Sequence, residues 1–112
     1  MTDSTTTGNA FPSAEEIREA LKEVIDPEIG MNIVELGLIY DVLPDPRERS
    51  VQINMTLTSP GCPLGPEITG AVYLTVKRLP EVQDCKVDLV WRPAWDPSVH
   101  ASEEARMALG IW

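Results

Sequence analysis

The chain has 112 residues, 43% of them apolar, and 18 acids against 9 bases give a formal net charge of −9. That length makes one domain around a single core, and scattered Lys and Arg in so acidic a chain exclude a duplex-binding surface, which needs clustered bases to release counterions. No apolar run reaches the length of a membrane span, residues 1–12 lack the order of a secretory signal, and two distant cysteines make no disulfide framework. The expected address is the cytoplasm, with reduced thiols, no membrane contact and no nucleic-acid partner.

Residues 1–12 read as a polar, disordered lead-in, and 13–112 as the folded domain. Ser13-Ala14-Glu15-Glu16 is a capping box. Ile17, Ala20, Leu21, Val24 and Ile25 then form one apolar helical face, and Pro27 is expected to end that helix. Asp26-Pro27-Glu28 places two carboxylates in a turn. Turn formation explains them, because Asp folds back on nearby N–H groups; a chemical role is the alternative.

Residues 37–43 are predicted to be a strand with Leu38, Tyr40 and Val42 on one face, and 44–49 its hairpin connection. Val51, Ile53, Met55 and Leu57 alternate with Gln52, Asn54, Thr56 and Thr58, which makes a half-buried strand. A helical stripe follows at Ile68, Ala71, Val72, Thr75 and Leu79, stopped by Pro80, with Gly70 in its middle. The third strand is predicted over 82–91, Cys85, Val87, Leu89 and Trp91 sharing a face, and Cys85 is therefore a packed core residue. Ser102 caps a short last helix that Gly110 closes. His100 reads as a surface residue in a polar loop, and Trp95 as an aromatic anchor for the tail or a shield over the Cys62 turn.

That turn, Thr58-Ser59-Pro60-Gly61-Cys62-Pro63, joins the clearest strand to a helix. Cys62 falls at or just before a helix N-terminus, where unpaired N–H groups and the macrodipole favour a thiolate. Pro63 suits a first helical turn, and Gly61 and Gly65 let the backbone turn tightly or a ligand approach. A small buried cysteine in an ordinary loop is the other reading. Carboxylates beside the thiol would oppose the helix terminus, so the spacing leaves the net direction open. There is no zinc-finger spacing, phosphate loop or nucleophile elbow. One thiolate with oxygen neighbours suits a soft metal, without choosing among iron–sulfur, copper and zinc.

The series IDPEIGMNIVELGLIYDV, then MTLTSPGCP, then VDLVW, RPAW and SEEARMALGI resembles the SufT-like metal–sulfur cluster biosynthesis family. Its relatives include PaaD proteins, the eukaryotic cytosolic iron–sulfur targeting factor and an N-terminal domain of some cluster-carrier ATPases. The likeness spans residues 14–111. It implies an α+β domain, helix–strand–strand–helix–strand with a short C-terminal helix on a small mixed sheet, the same order reached from the residues themselves. It further implies a site assembled from Asp26, Glu28, Leu38, Thr58, Ser59 and Cys62, with Cys62 the functional thiol. The implied activity is accessory to iron–sulfur cluster assembly or delivery, rather than turnover. Cys62 would contact iron or a transiently held cluster, with the assembly machinery and apo client proteins as partners. A homodimer bridging a cluster between two thiols is one arrangement it leaves open. A metal-free adaptor and a small thiol-dependent enzyme are the alternatives. Two departures stand out: Pro93-Ala94-Trp95 replaces the Pro-Pro-Trp of many relatives, and the absence of a cysteine-rich segment before Trp112 disfavours the PaaD role and its zinc.

Overall fold

The computed structural model describes residues 11–58 and 65–110. Helix α1 (Ala14–Leu21) begins at the expected capping box, Ser13 Oγ accepting the Glu16 N–H and Glu16 the Ser13 N–H. Its buried face is Ile17 and Leu21. The expected lead-in overlaps the body at its last two residues, since Phe11 packs against the core and Pro12 is buried. Residues 1–10 lie outside the described residues.

Pro27 does not end α1. The last turn tightens through bonds from Lys22, Glu23 and Val24 N–H to carbonyls three residues back. The chain then enters a two-stranded hairpin, β1 (Ile25–Asp26) antiparallel to β2 (Met31–Asn32). Val24 keeps its core position while its carbonyl accepts the Ile33 N–H at 3.0 Å, and Ile25, assigned by period to the core face, is 49% exposed. Pairing across the turn overrides the helical period.

The main sheet has the order β3 (Ile39–Asp45), β4 (Ser50–Met55), β5 (Asp84–Leu89). β3 is antiparallel to β4 and β5 parallel to it, so the sheet is mixed as expected, with the third strand on the side of β4 away from β3. The parallel step is reached through helix α2 (Gly65–Lys77), which packs Ile68, Val72, Thr75 and Val76 against the core. Val51, Ile53 and Met55 of β4 are buried as their alternation requires, and Gln52 and Asn54 are half-exposed on the other face. Each fully buried aliphatic side chain contributes roughly 1.5–3 kcal/mol.

Three details correct the strand readings. The register shifts between Ile39 and Asp41, so Ile39 and Val42 face the core while Tyr40 is half-exposed. The extra residue turns the Ile39 and Tyr40 carbonyls toward the Arg18 guanidinium, at 3.3 and 3.4 Å. The hairpin connection is shorter than 44–49, because Pro44 and Asp45 still pair with Val51 and Ser50. β5 covers 84–89, and of its predicted apolar face Cys85 is buried whereas Leu89 and Trp91 are each 41% exposed.

The tail returns across the sheet to the turn before β3. Tyr40 Oη donates to the Pro93 carbonyl at 2.8 Å, Trp95 Nε1 to the Leu36 carbonyl at 2.7 Å, and Ser102 N–H to the Glu35 carbonyl at 2.8 Å. A short helix α3 (Pro97–His100) precedes α4 (Glu103–Leu109), capped by Ser102 and closed by Gly110 as predicted. His100 is not in a surface loop. It ends α3 half-buried, its ring 5.1 Å from that of Tyr40 and its Nδ1 accepting the Asp96 N–H. Its carbonyl lies over Gly37, at φ +79°, where a Cβ would overlap it. Among the described residues no helix is long and apolar enough to cross a membrane.

Two glycine substitutions have opposite expected outcomes. Gly37→Ala meets both a left-handed backbone and the His100 carbonyl, and is expected to cost about 2 kcal/mol or more in urea unfolding. Gly70→Ala, in helix α2 with nothing within 4 Å of its new Cβ, is expected to add about 0.5–1 kcal/mol in the same assay.

Candidate functional site

The Asp26-Pro27-Glu28 turn is folded by the Asp26 carboxylate. Its Oδ1 accepts the Glu28 N–H at 2.9 Å, and the Asp26 carbonyl accepts the N–H groups of Ile29 and Gly30. Turn formation therefore accounts for half of this carboxylate. The other half is different: Asp26 is only 1% exposed, and Oδ2 is buried without a hydrogen-bond partner among the described residues. A buried carboxylate oxygen left unpaired is costly, so native structures rarely leave one without a donor or a cation. Glu28, two residues on, is exposed.

The strand that leads to the Cys62 turn is tied to the same hairpin. Leu38 N–H donates to the Ile33 carbonyl at 3.0 Å, and the Leu38 carbonyl accepts the Thr56 N–H at 2.8 Å. Leu38 itself is fully buried, so its side chain belongs to the core, and it is its backbone that links hairpin to strand. Thr56, expected on the polar face of β4, is instead buried at 1% exposure. Thr58, two residues later, is half-exposed at the last described position before the turn. Across the turn, Gly65 starts α2 buried against Leu57, where a Cβ would stand 2.8 Å from Leu57 Cδ1. Its missing side chain accommodates Leu57 rather than a ligand. Gly70, in the middle of α2, has open space beside it.

The hairpin and the first turn of α2 flank one open groove of about 560 Å³, lined by Val24, Ile25, Pro27, Glu67, Ile68 and Leu74 among others. The structure thus brings the Asp26–Glu28 turn alongside the helix start into which residues 59–64 lead. Ser59 and Cys62 lie outside the described residues, as do Gly61 and Pro63. Trp95 docks on the Leu36 carbonyl and packs against the core.

The second thiol behaves as its strand position predicts. Cys85 is 6% exposed, and burial, with a smaller push from the Asp84 charge, raises its pKa from 9.0 to about 11. Among the described residues no three His, Cys, Asp or Glu side chains are grouped to hold a metal. Trp95 anchors the tail as expected, but the place of docking is not legible: nothing in the spacing of Gly37, Leu36, Trp95 and His100 announces that they meet.

Residues 14–89 match the pattern of a family described as iron–sulfur cluster assembly protein. The chain belongs to that family. Relatives in it include an Fe–S protein maturation auxiliary factor, YitW, of Bacillus subtilis, 48% identical over 87% of this chain and 93% of the relative. Another, the auxiliary factor SufT of Staphylococcus aureus, is 47% identical over 79% of this chain and 98% of its own. An iron–sulfur cluster carrier protein of Mycobacterium tuberculosis matches 65% of this chain at 40% identity, within 19% of its own length. Among solved structures, a domain of unknown function from Bacillus anthracis superposes with a TM-score of 0.80 at 40% identity, covering 88% of this chain and 92% of that one. The family fold is the α+β arrangement described above, helices against a small mixed sheet.

The Cys85 thiol yields a signed pH prediction. Unfolded, it ionises near its ordinary value; folded, it holds its proton to about pH 11. The native state binds the extra proton, so this contribution is complete below pH 9 and is lost as pH rises from 9 toward 11, by up to about 2–3 kcal/mol. Denaturant unfolding between pH 8 and 11 is expected to show that slope in the wild type and a flatter profile in Cys85→Ala.

Proposed function

We propose that this protein is a cytoplasmic accessory factor in iron–sulfur protein maturation, with Cys62 contacting iron, a transient cluster or the client that receives it. The membership of the chain in the iron–sulfur cluster assembly family supports the pathway. The observation that carries the site is the Asp26 Oδ2, buried and without a partner among the described residues, in the turn whose Pro27 lines one groove with Glu67 and Ile68 of the helix that follows Cys62. In this reading the turn of residues 59–64 brings Cys62, Ser59 and Thr58 against Asp26. A hydroxyl or backbone N–H then meets Oδ2 in the empty state, and iron meets it in the loaded state. Glu28, exposed in the same turn, adds negative charge for an incoming cation. Cys62 supplies the soft donor and the carboxylates the hard ones, a set that holds iron without enclosing it, as a donor that must also release requires. The cluster or its iron is cargo here, and partners are the assembly machinery and apo clients.

Anaerobic reconstitution with ferrous iron and sulfide tests the reading. The wild type is expected to gain visible charge-transfer absorption that Cys62→Ser lacks. Asp26→Asn keeps the acceptor for the Glu28 N–H and should fold, yet bind iron about 10–100-fold more weakly. In cells depleted of the protein, Cys62→Ser is expected to leave client enzymes without clusters. Client maturation undiminished by Cys62→Ser would replace metal handling with a metal-free adaptor role.

A further inference from the structure

The two edges of the main sheet are not alike. On the β3 edge, Arg18 occupies the Ile39 and Tyr40 carbonyls, the register shift breaks the ladder, and Pro44 lacks a donor. These are the devices by which natural sheets prevent edge-to-edge association. Among the described residues the β5 edge has no register shift, no proline and no guanidinium on its carbonyls, and its charged side chains, Asp84, Lys86 and Asp88, alternate in sign. Among the described residues β5 pairs only with β4. Asp84 N–H donates to the Arg49 carbonyl and Val90 N–H to that of Met55, on the β4 side. Alternation therefore turns the N–H and C=O groups of Cys85, Val87 and Leu89 outward. Among the described residues the Cys85 N–H is met only by the neighbouring Asp84 carboxylate, at 3.0 Å.

We infer that this edge receives a second copy of the chain, β5 against β5, antiparallel about a two-fold axis through Val87. The charges select this register. With Val87 opposite Val87, Cys85 faces the second copy's Leu89, and the outward-pointing groups of all three residues meet in hydrogen-bonded pairs. Lys86 then stands opposite the second copy's Asp88 in the closer, non-hydrogen-bonded positions, twice by symmetry. Shifting by one step puts Lys86 opposite Lys86 and Asp84 opposite Asp88, and shifting the other way puts Asp88 opposite Asp88. Lys86 Nζ lies 3.8 Å from Asp88 Oδ2 of its own strand, a loose pair with side chains 73% and 45% exposed that can be exchanged for the cross-strand one, while Gln52 Nε2 holds the Asp88 carboxylate at 2.9 Å. The pairing also covers Leu89, otherwise 41% exposed at the end of the strand. The product is one continuous six-stranded sheet, independent of Cys62 and of the iron–sulfur reading.

A single strand pair is a small interface, so association is reversible, with Kd on the order of tens of micromolar. Sedimentation equilibrium at near-physiological salt, where the repulsion between two chains of net charge −9 is screened beyond about 8 Å, tests it. The wild type is expected to pass from monomer to dimer between about 1 and 500 µM. Lys86→Asp should raise Kd about tenfold or more, and adding Asp88→Lys should return it to near the wild-type value. Val87→Pro, which removes an outward N–H, should hold the chain monomeric with an unchanged circular dichroism spectrum. A wild type that stays monomeric throughout overturns the inference. So does a dimer that ignores Lys86→Asp, or one that the double charge swap fails to restore.

Discussion

The two backbone bonds of Leu38 hold the carboxylate hairpin to the end of β4. Its N–H reaches the turn after the carboxylate hairpin, at Ile33, and its carbonyl takes the N–H of Thr56, where β4 gives way to the Cys62 turn. The side chain between them is fully buried, so neither bond competes with water. Asp26 and Thr56 are 30 residues apart along the chain, and this short bridge sets the spacing between their segments. Leu38, by its side chain a plain core leucine, thus acts through its main chain.

The rest of the fold supports that bridge from outside. Trp95 donates to the Leu36 carbonyl, Ser102 to the Glu35 carbonyl, and the His100 carbonyl closes over Gly37. All three contacts fall on the same turn, between the hairpin and β3. The tail is therefore a clamp on the segment that carries Leu38, which explains a Trp and a left-handed Gly at positions with no chemistry of their own. On the opposite side, α2 seats Gly65 under Leu57 and so fixes the far end of the Cys62 turn.

Asp26 shows how one residue serves two ends. Its Oδ1 shapes the turn, and any Asp in such a turn would do the same. What sets it apart is depth. At 1% exposure the second oxygen is cut off from solvent and has no partner among the described residues. Cys85 is the contrasting thiol: buried among apolar side chains beside an acid, it is pushed toward pH 11 and kept inert. Of the two cysteines, the one on the strand is chemically silenced by its packing.

The sequence by itself determined the elements whose signals are local. The Ser13 and Ser102 caps, the alternation of Val51, Ile53 and Met55, the stripe of α2 and the fold-back of Asp26 are each specified within a few residues, because capping, pleat and turn geometry act over that range. Only the tertiary structure decided where those elements yield to one another. α1 stops at Leu21 because Ile25 and Asp26 find strand partners in Asn32 and Met31. β3 shifts register at Tyr40 where the Ile39 and Tyr40 carbonyls meet Arg18, and β5 settles in parallel on the far side of β4. Those outcomes depend on hydrogen bonds and burial between residues distant in sequence, which no local period encodes.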